Sequence, residues 1–292
     1  MPQGMGQTGR RPSPYRADMS EPTFSDTIRT HYETYIDNED ARLRAGMGRL
    51  ELARVQEIVR RNLPQRPLRV LDVGGATGVH AEWLLADGHT VHLVDPVAVQ
   101  VERAAARLGG TGGFTSGVGD VRALPVADAS FDVVLMFGPL YHLPEPEDRA
   151  TAWREAARAV VPGGLVMAQA IARFGSLFDG LSSGYLFEDE FRRMVHTDLA
   201  TGRHENPTEH PGWFTTAYFH RPEELAEEPG AAGLTLRELV TVEGMAGWLP
   251  NLEARWDDPA DRALILEAAR AVESEPSLLG LGAHLLAVAQ RS

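Results

Sequence analysis

Cysteine and lysine are both missing from the 292 residues, and each absence removes chemistry. Without a thiolate there is no thiol nucleophile, disulfide, iron–sulfur cluster or cysteine zinc site. Without lysine there is neither a pyridoxal Schiff base nor a P-loop. Long apolar runs are also lacking. The longest uncharged stretches, 159–172 and 277–290, fall short of the ~18 residues a membrane span needs and carry Gly, Pro or polar residues. All 28 basic side chains are Arg, and set against 41 acidic ones they leave a net charge of −13, which argues against a nucleic-acid surface. What remains is oxygen and imidazole chemistry, or the chemistry of a bound cofactor. With 43% hydrophobic and 24% charged residues the chain is ordinary for a globular protein of one large or two small domains.

Residues 1–21 are rich in Gly, Pro, Arg and Ser and lack the apolar core of a secretory signal, so they read as a flexible tail on a cytoplasmic protein. Arg10, Arg11 and Arg16 in it are expected to be solvated. From His31 to Leu63 apolar residues recur at helical spacing (Leu43, Met47, Leu50, then Leu52, Val55, Val59, Leu63) until Pro64 stops them, predicting one or two leading helices. Then short apolar runs appear at 69–73, 90–94, 114–117, 131–137 and 165–171, separated by helical patterns at 79–87, 98–108 and 146–161. This alternation means βαβ units on a parallel sheet. Runs at 234–242 and 282–289, flanking a helix at 259–272, look like two last strands. Between 173 and 221 the strand rhythm stops, and nine of the chain's 21 aromatic residues fall there. That segment, bounded at 172–222, is expected to be an inserted cap and a wall of a ligand pocket.

Asp72-Val73-Gly74-Gly75-Ala76-Thr77-Gly78 follows the first strand and opens a helix. Such a turn brings backbone N–H groups and a helix N-terminus close to a ligand. The dinucleotide spacing G-x-G-x-x-G is absent, because Ala76 stands where its second glycine would be. Asp72, at the carboxyl end of the strand, would repel a pyrophosphate and attract an ammonium or sulfonium group. Asp95 closes the second strand, where an acid accepts hydrogen bonds from two ribose hydroxyls. An adenosine-like sugar joined to a cation satisfies both acids, and S-adenosylmethionine is such a molecule.

Here the sequence resembles the class I S-adenosylmethionine-dependent methyltransferases, in the branch related to ubiquinone and menaquinone biosynthesis. The motifs follow in family order: Asp72 to Gly78 with Ala76 for the middle glycine, Val94-Asp95-Pro96, Gly119-Asp120-Val121-Arg122-Ala123-Leu124-Pro125, Ser130-Phe131-Asp132-Val133-Val134 and Val161-Pro162-Gly163-Gly164. The resemblance covers 50–171 well and the last strands more weakly. It implies that Gly74, Gly75, Thr77 and Gly78 approach the methionine part, Asp95 and Pro96 the ribose, and Asp120 and Val121 the adenine. Phe137 and Gly138 would line the methyl-transfer face. Asp120 has a second reading, the cap of a turn, and Asp132 reads as a local structural bond.

Phe137-Gly138-Pro139-Leu140-Tyr141-His142-Leu143 follows strand four. It lacks the Asn or Asp with Pro-Pro of adenine and glutamine methyltransferases. Phe137 also stands where metal-dependent catechol methyltransferases place an acid, so no catalytic metal is expected. The run is similar to that of bacterial small-molecule methyltransferases. His142 is the candidate base and Tyr141 a second catalytic candidate, with His220 and His196 behind them. On the leading helices Tyr32, Tyr35, Glu39, Asp40 and Arg42 suggest a lid. Arg49 is expected to meet the methionine carboxylate, unless these charges are simply a solvated face.

The expectation is one α/β domain over 22–292. It has a Rossmann-like, seven-stranded, mostly parallel sheet with helices on both faces, a helical N-terminal lid over 22–66 and an inserted aromatic cap. Its cofactor is S-adenosylmethionine and its partner a small-molecule acceptor methylated on oxygen, nitrogen or carbon. No nucleic acid or membrane is involved, a homo-oligomer is left open, and the Arg-rich, lysine-free composition suits specialised metabolism in a GC-rich organism. The rival readings are a regulatory or scaffold protein that binds the cofactor without turnover, and a nicotinamide-dependent oxidoreductase.

Overall fold

Val70, Leu71 and Val73 are almost wholly buried in β1 (Arg69–Val73), and a run with no polar alternation belongs in the middle of a sheet covered on both faces. A computed structural model describes residues 25–292 apart from 35–40, 209 and 211. The expected tail and Tyr35, Glu39 and Asp40 lie outside the described residues. Two helices lead, α1 (Asp26–Thr34) and α2 (Gly46–Asn62). Then β1, β2 (Thr90–Asp95), β3 (Phe114–Val118), β4 (Phe131–Met136) and β5 (Val160–Ala172) alternate with α3 (Val79–Ala86), α4 (Ala98–Leu108) and α5 (Pro146–Ala159).

The parallel strands lie in the order β3, β2, β1, β4, β5. The last strand, β9 (His284–Arg291), runs antiparallel to β5 from Leu165↔Gln290 to Ile171↔His284, and β8 (Leu234–Thr241) pairs antiparallel with β9. All seven expected strands are present, close to their expected ends. One boundary moves: Val160 and Val161 begin β5 instead of ending α5, because Val160 pairs with Phe131 across an irregularity in the β4–β5 ladder.

One face of the sheet packs on α2, α3 and α4 through Val55, Ile58, Leu84, Ala104 and Leu108. The opposite face packs on α5 and on α8 (Pro222–Ala231) through Trp153, Ala156 and Leu225.

The expectation that strand structure stops between 173 and 221 needs correction. After α6 (Gly175–Ser183) and α7 (Asp189–Thr201) come two short strands, β6 (Arg203–His204) and β7 (Ala217–His220). β7 joins the sheet, parallel to the far end of β5 at Ile171↔Phe219 and Ala172↔His220. The sheet thus has nine strands, and the two additional ones belong to the cap. The cap also has its own core of Phe191, Met194, Val195 and Trp213. Two further short helices, α9 (Leu252–Trp256) and α10 (Pro259–Val272), pack outside α2.

Trp153 is fully buried, and its indole N–H donates to Glu228 at 2.9 Å. Trp153→Ala should therefore cost about 3–5 kcal/mol of stability, the range for large-to-small core replacements. Denaturant unfolding monitored by circular dichroism measures it, and a loss under about 1 kcal/mol would show that this face of the core is not close-packed.

Candidate active site

The turn after β1 is built to let backbone approach a ligand. Gly74 has φ +68, and a Cβ there would lie 2.8 Å from the Pro139 ring. Its N–H donates to Val94 O at 2.7 Å. Ala76 also adopts positive φ, 49°, a conformation that costs a residue with a Cβ roughly 1 kcal/mol. It is held there by its N–H, which donates to Asp95 Oδ2 at 3.0 Å. The other Asp95 oxygen accepts from Val97 N at 2.9 Å. Gly74, Gly75, Ala76 and Thr77 line a cleft together with Asp95, Pro96, Asp120, Val121, Phe137 and Gly138. These come from the carboxyl ends of β1 to β4, where open α/β sheets bind ligands.

Burial governs the two acids. It pushes the Asp72 carboxyl up to about 7, with the Asp95 charge adding to the shift. It pushes Asp95 up to about 6 against the pull of the Val97 and Ala76 N–H groups. Asp72 is not on the cleft wall. It lies under the turn, where a Cβ on Gly75 would come within 2.7 Å of Oδ2, and that oxygen is buried with no hydrogen-bond partner among the described residues. Asp120 is on the wall, but its carboxylate already accepts from Arg122 N, Nε and an η-nitrogen at 2.8, 2.9 and 2.7 Å. Asp132 takes the local role expected of it, accepting Arg69 N at 2.9 Å.

The loop after β4 brings Tyr141 and His142 to the cleft. The Tyr141 hydroxyl donates to Phe137 O at 3.2 Å. His142 Nδ1 is 3.3 Å from Thr216 O, and Nε2 is 2.6 Å from the Tyr32 hydroxyl. A carbonyl can only accept, so Nδ1 carries the proton and Nε2 is the acceptor of the Tyr32 O–H.

Four further candidates are elsewhere. Arg49 pairs with Asp257 at 2.8 Å on the outer side of α2, and Arg42 lines the cleft instead. Gly78 caps α3 with φ +86, its Cα facing Leu108 and not the cleft. His220 is buried against Glu228 at 3.3 Å and His196 is exposed on α7, so neither reaches the site.

The sequence reading missed a buried network. Glu51 accepts from Arg42 at 2.6 Å and from Gln169 at 2.8 Å, while His284 Nδ1 donates to Glu243 at 2.6 Å. Burial alone would raise Glu51, but Arg42 and His284 hold it down to about 2. Burial opposes charge on His284, yet Glu51 and Glu243 hold it up to about 9. Glu51, Glu243 and His284 each bring a ligand-type atom within 4.8 Å of the others. Arg42 and the imidazolium already balance both carboxylates. An acid directly after the buried run of β8, and a histidine opening the apolar β9, were the signals available in the sequence.

A second cavity of about 420 Å³ adjoins the cleft, within the size range of small-molecule sites. Aromatic residues of the cap wall it, and Tyr32, Arg42 and Tyr141 line both spaces.

Residues 71–168 match the methyltransferase domain family. The chain carries a methyltransferase domain. Family and fold imply S-adenosylmethionine as its cofactor. The domain is similar to Methyltransferase GfsG of Streptomyces halstedii, 33% identical over 44% of this chain and 48% of that one. It is also similar to the ubiquinone/menaquinone biosynthesis C-methyltransferase UbiE of Methylobacterium nodulans, 38% identical over 34% and 40%. The chain thus spans under half the length of these curated relatives. In fold it is similar to an S-adenosylmethionine-dependent methyltransferase of Mesorhizobium loti, with TM-score 0.56, 18% identity and coverage of 83% and 100%. The [4+2]-cyclase SpnF also shares the fold, with TM-score 0.51, 21% identity and coverage of 82% and 81%. Among the described residues no helix is long and apolar enough to cross a membrane.

The network around the methyltransferase domain predicts a pH dependence. The raised His284 value means its contribution to stability is complete below the unfolded value of 6.5 and is lost as pH rises through about 9. His284→Asn should therefore destabilise the protein most near pH ~6 and progressively less toward pH ~9.5. Chemical denaturation across that range checks it, and a constant difference would show that the imidazole is neutral.

Proposed function

We propose that the chain transfers a methyl group from S-adenosylmethionine in the cleft to a small molecule in the second cavity. The observation that carries this is the shared wall of Tyr32, Arg42 and Tyr141, which makes one neck through which both ligands must meet. The chemistry of the cleft suits the cofactor. The Asp95 carboxyl lines the cleft with its value raised by burial, and a carboxylate oxygen that accepts one N–H retains capacity for another, while Asp72 adds its charge from beneath the turn. When bound, S-adenosylmethionine supplies a methyl group on a cationic sulfur. Asp95 with Pro96 would hold the ribose, the Gly74–Thr77 turn the methionine part, and Asp120 with Val121 the adenine.

His142 is the base in this reading. Thr216 O fixes the ring with its lone pair at the neck, and the Tyr32 phenol resting on Nε2 supports the view that an acceptor hydroxyl fits there. The rest of the barrier reduction comes from alignment of the two ligands, worth up to ~7–11 kcal/mol in well-oriented systems. The second reading is cofactor binding without methyl transfer, and a fold that a [4+2]-cyclase also carries is compatible with it. Release of S-adenosylhomocysteine during turnover decides between them.

Two measurements test the assignment. Asp95→Ala should weaken S-adenosylhomocysteine binding by about 1.5–3 kcal/mol, the scale of hydrogen bonds to a charged group. Unchanged affinity in calorimetry, or tight NAD binding by the parent protein, would overturn the cofactor reading. His142→Ala should lower kcat at least ~100-fold for a hydroxyl, phenol or activated-carbon acceptor, leave S-adenosylmethionine affinity unchanged, and recover partly as pH rises. A loss below ~10-fold with such an acceptor removes His142 from proton transfer.

A further inference from the structure

The second cavity contains one charge that the protein does not answer. Of the charged side chains and imidazoles that line it, Arg42 is paired with Glu51, His284 with Glu243 and His204 with Asp198. Arg42 and the His284 imidazolium are matched by the two glutamates. Asp179 on α6 is different: it is exposed at the open side of the cavity, and among the described residues its carboxylate makes no hydrogen bond or ion pair. One turn earlier on the same helix face stands Ser176, also on the cavity wall, whose Oγ is buried with no partner among the described residues. Around them the wall is aromatic, with Phe191, Trp213, Phe214 and Trp248.

Taking the second cavity as the acceptor site, we propose that its Asp179–Ser176 end binds a protonated amine carried by the acceptor. The ammonium N–H groups would donate to the Asp179 carboxylate and to Ser176 Oγ, and ring faces of the tryptophans and phenylalanines attract an organic cation. The protein around Asp179 screens it partly from water and so raises its carboxyl, and an ammonium would offset that. An anion is the competing guest, because α6 begins at Gly175 on the same wall and a helix N-terminus favours negative charge. It would sit beside the unneutralised carboxylate, while the His284 imidazolium on the wall is already cancelled by Glu243 and Glu51. Trp213 Nε1, buried without a partner among the described residues, suits a neutral oxygen elsewhere on the ligand.

The test uses the full chain and three probes of one shape: 2-phenylethylamine, 2-phenylethanol and 3-phenylpropanoate. S-adenosylhomocysteine is titrated first, and each probe is then followed by calorimetry. The amine should bind at least ~10-fold more tightly than the alcohol or the carboxylate. Asp179→Asn should abolish that preference while leaving S-adenosylhomocysteine affinity unchanged, and Ser176→Ala should reduce it about 3-fold. Equal or tighter binding of the carboxylate, no binding of the amine, or a preference that survives Asp179→Asn would overturn the proposal. A chain that binds no S-adenosylhomocysteine yet keeps the amine preference fails only the cofactor reading, so the two failures are distinguishable.

Discussion

Glu51 is a carboxylate with almost no access to water, and three separated stretches of chain keep it charged. Arg42 reaches it from the segment before α2, Gln169 from β5, and His284 from the start of β9, itself held by Glu243 at the end of β8. Taking away one partner of such a set leaves a buried charge uncompensated, which is far more costly than never having buried it. The network therefore fixes how α2 sits on the sheet. Because Arg42 and His284 also form cavity wall, the same bonds fix the shape of both ligand spaces. The phenol of Tyr32, on the helix before, is aimed at His142 from that platform.

The parallel part of the sheet was legible because its strands are buried on both faces. Val70-Leu71 and Val133-Val134-Leu135 have no polar alternation to confuse the reading, and the glycine turn and Asp95 mark strand ends by local chemistry. β7 was illegible for the opposite reason. Ala217-Tyr218-Phe219-His220 is short, and it becomes a strand only because the end of β5 offers it a partner. Arg49 was misplaced on helical phase: Arg54 is fully buried within the apolar stripe of α2, so charge did not reveal which side of that helix faces water. Glu243 and His284 are 41 positions apart and meet only when β8 pairs with β9. Asp179 lay in a segment read as irregular, with no period to say which way it points.

The cleft itself is a place where local stability was given up. Among the described residues Asp72 and Asp95 sit close together with no ion pair, one Asp72 oxygen has no hydrogen-bond partner, and Ala76 holds a backbone conformation that favours glycine. Strained backbone and mutually repelling carboxyls gather at sites that wait for a ligand. On the opposite face of the sheet Glu228 is instead matched by partners, held down to about 2 by His220, Arg149 and Trp153 against the effect of burial.

The attachment of the cap has a consequence for traffic. β7 is hydrogen-bonded to the far end of β5, and Arg173 at that junction donates from Nε to Phe219 O at 2.7 Å while also gripping Glu224. A flap fastened on both sides of its root cannot hinge open without breaking sheet. The aromatic side of the second cavity is thus a fixed wall. A guest of that cavity therefore meets a preformed outline on this side and has to match it.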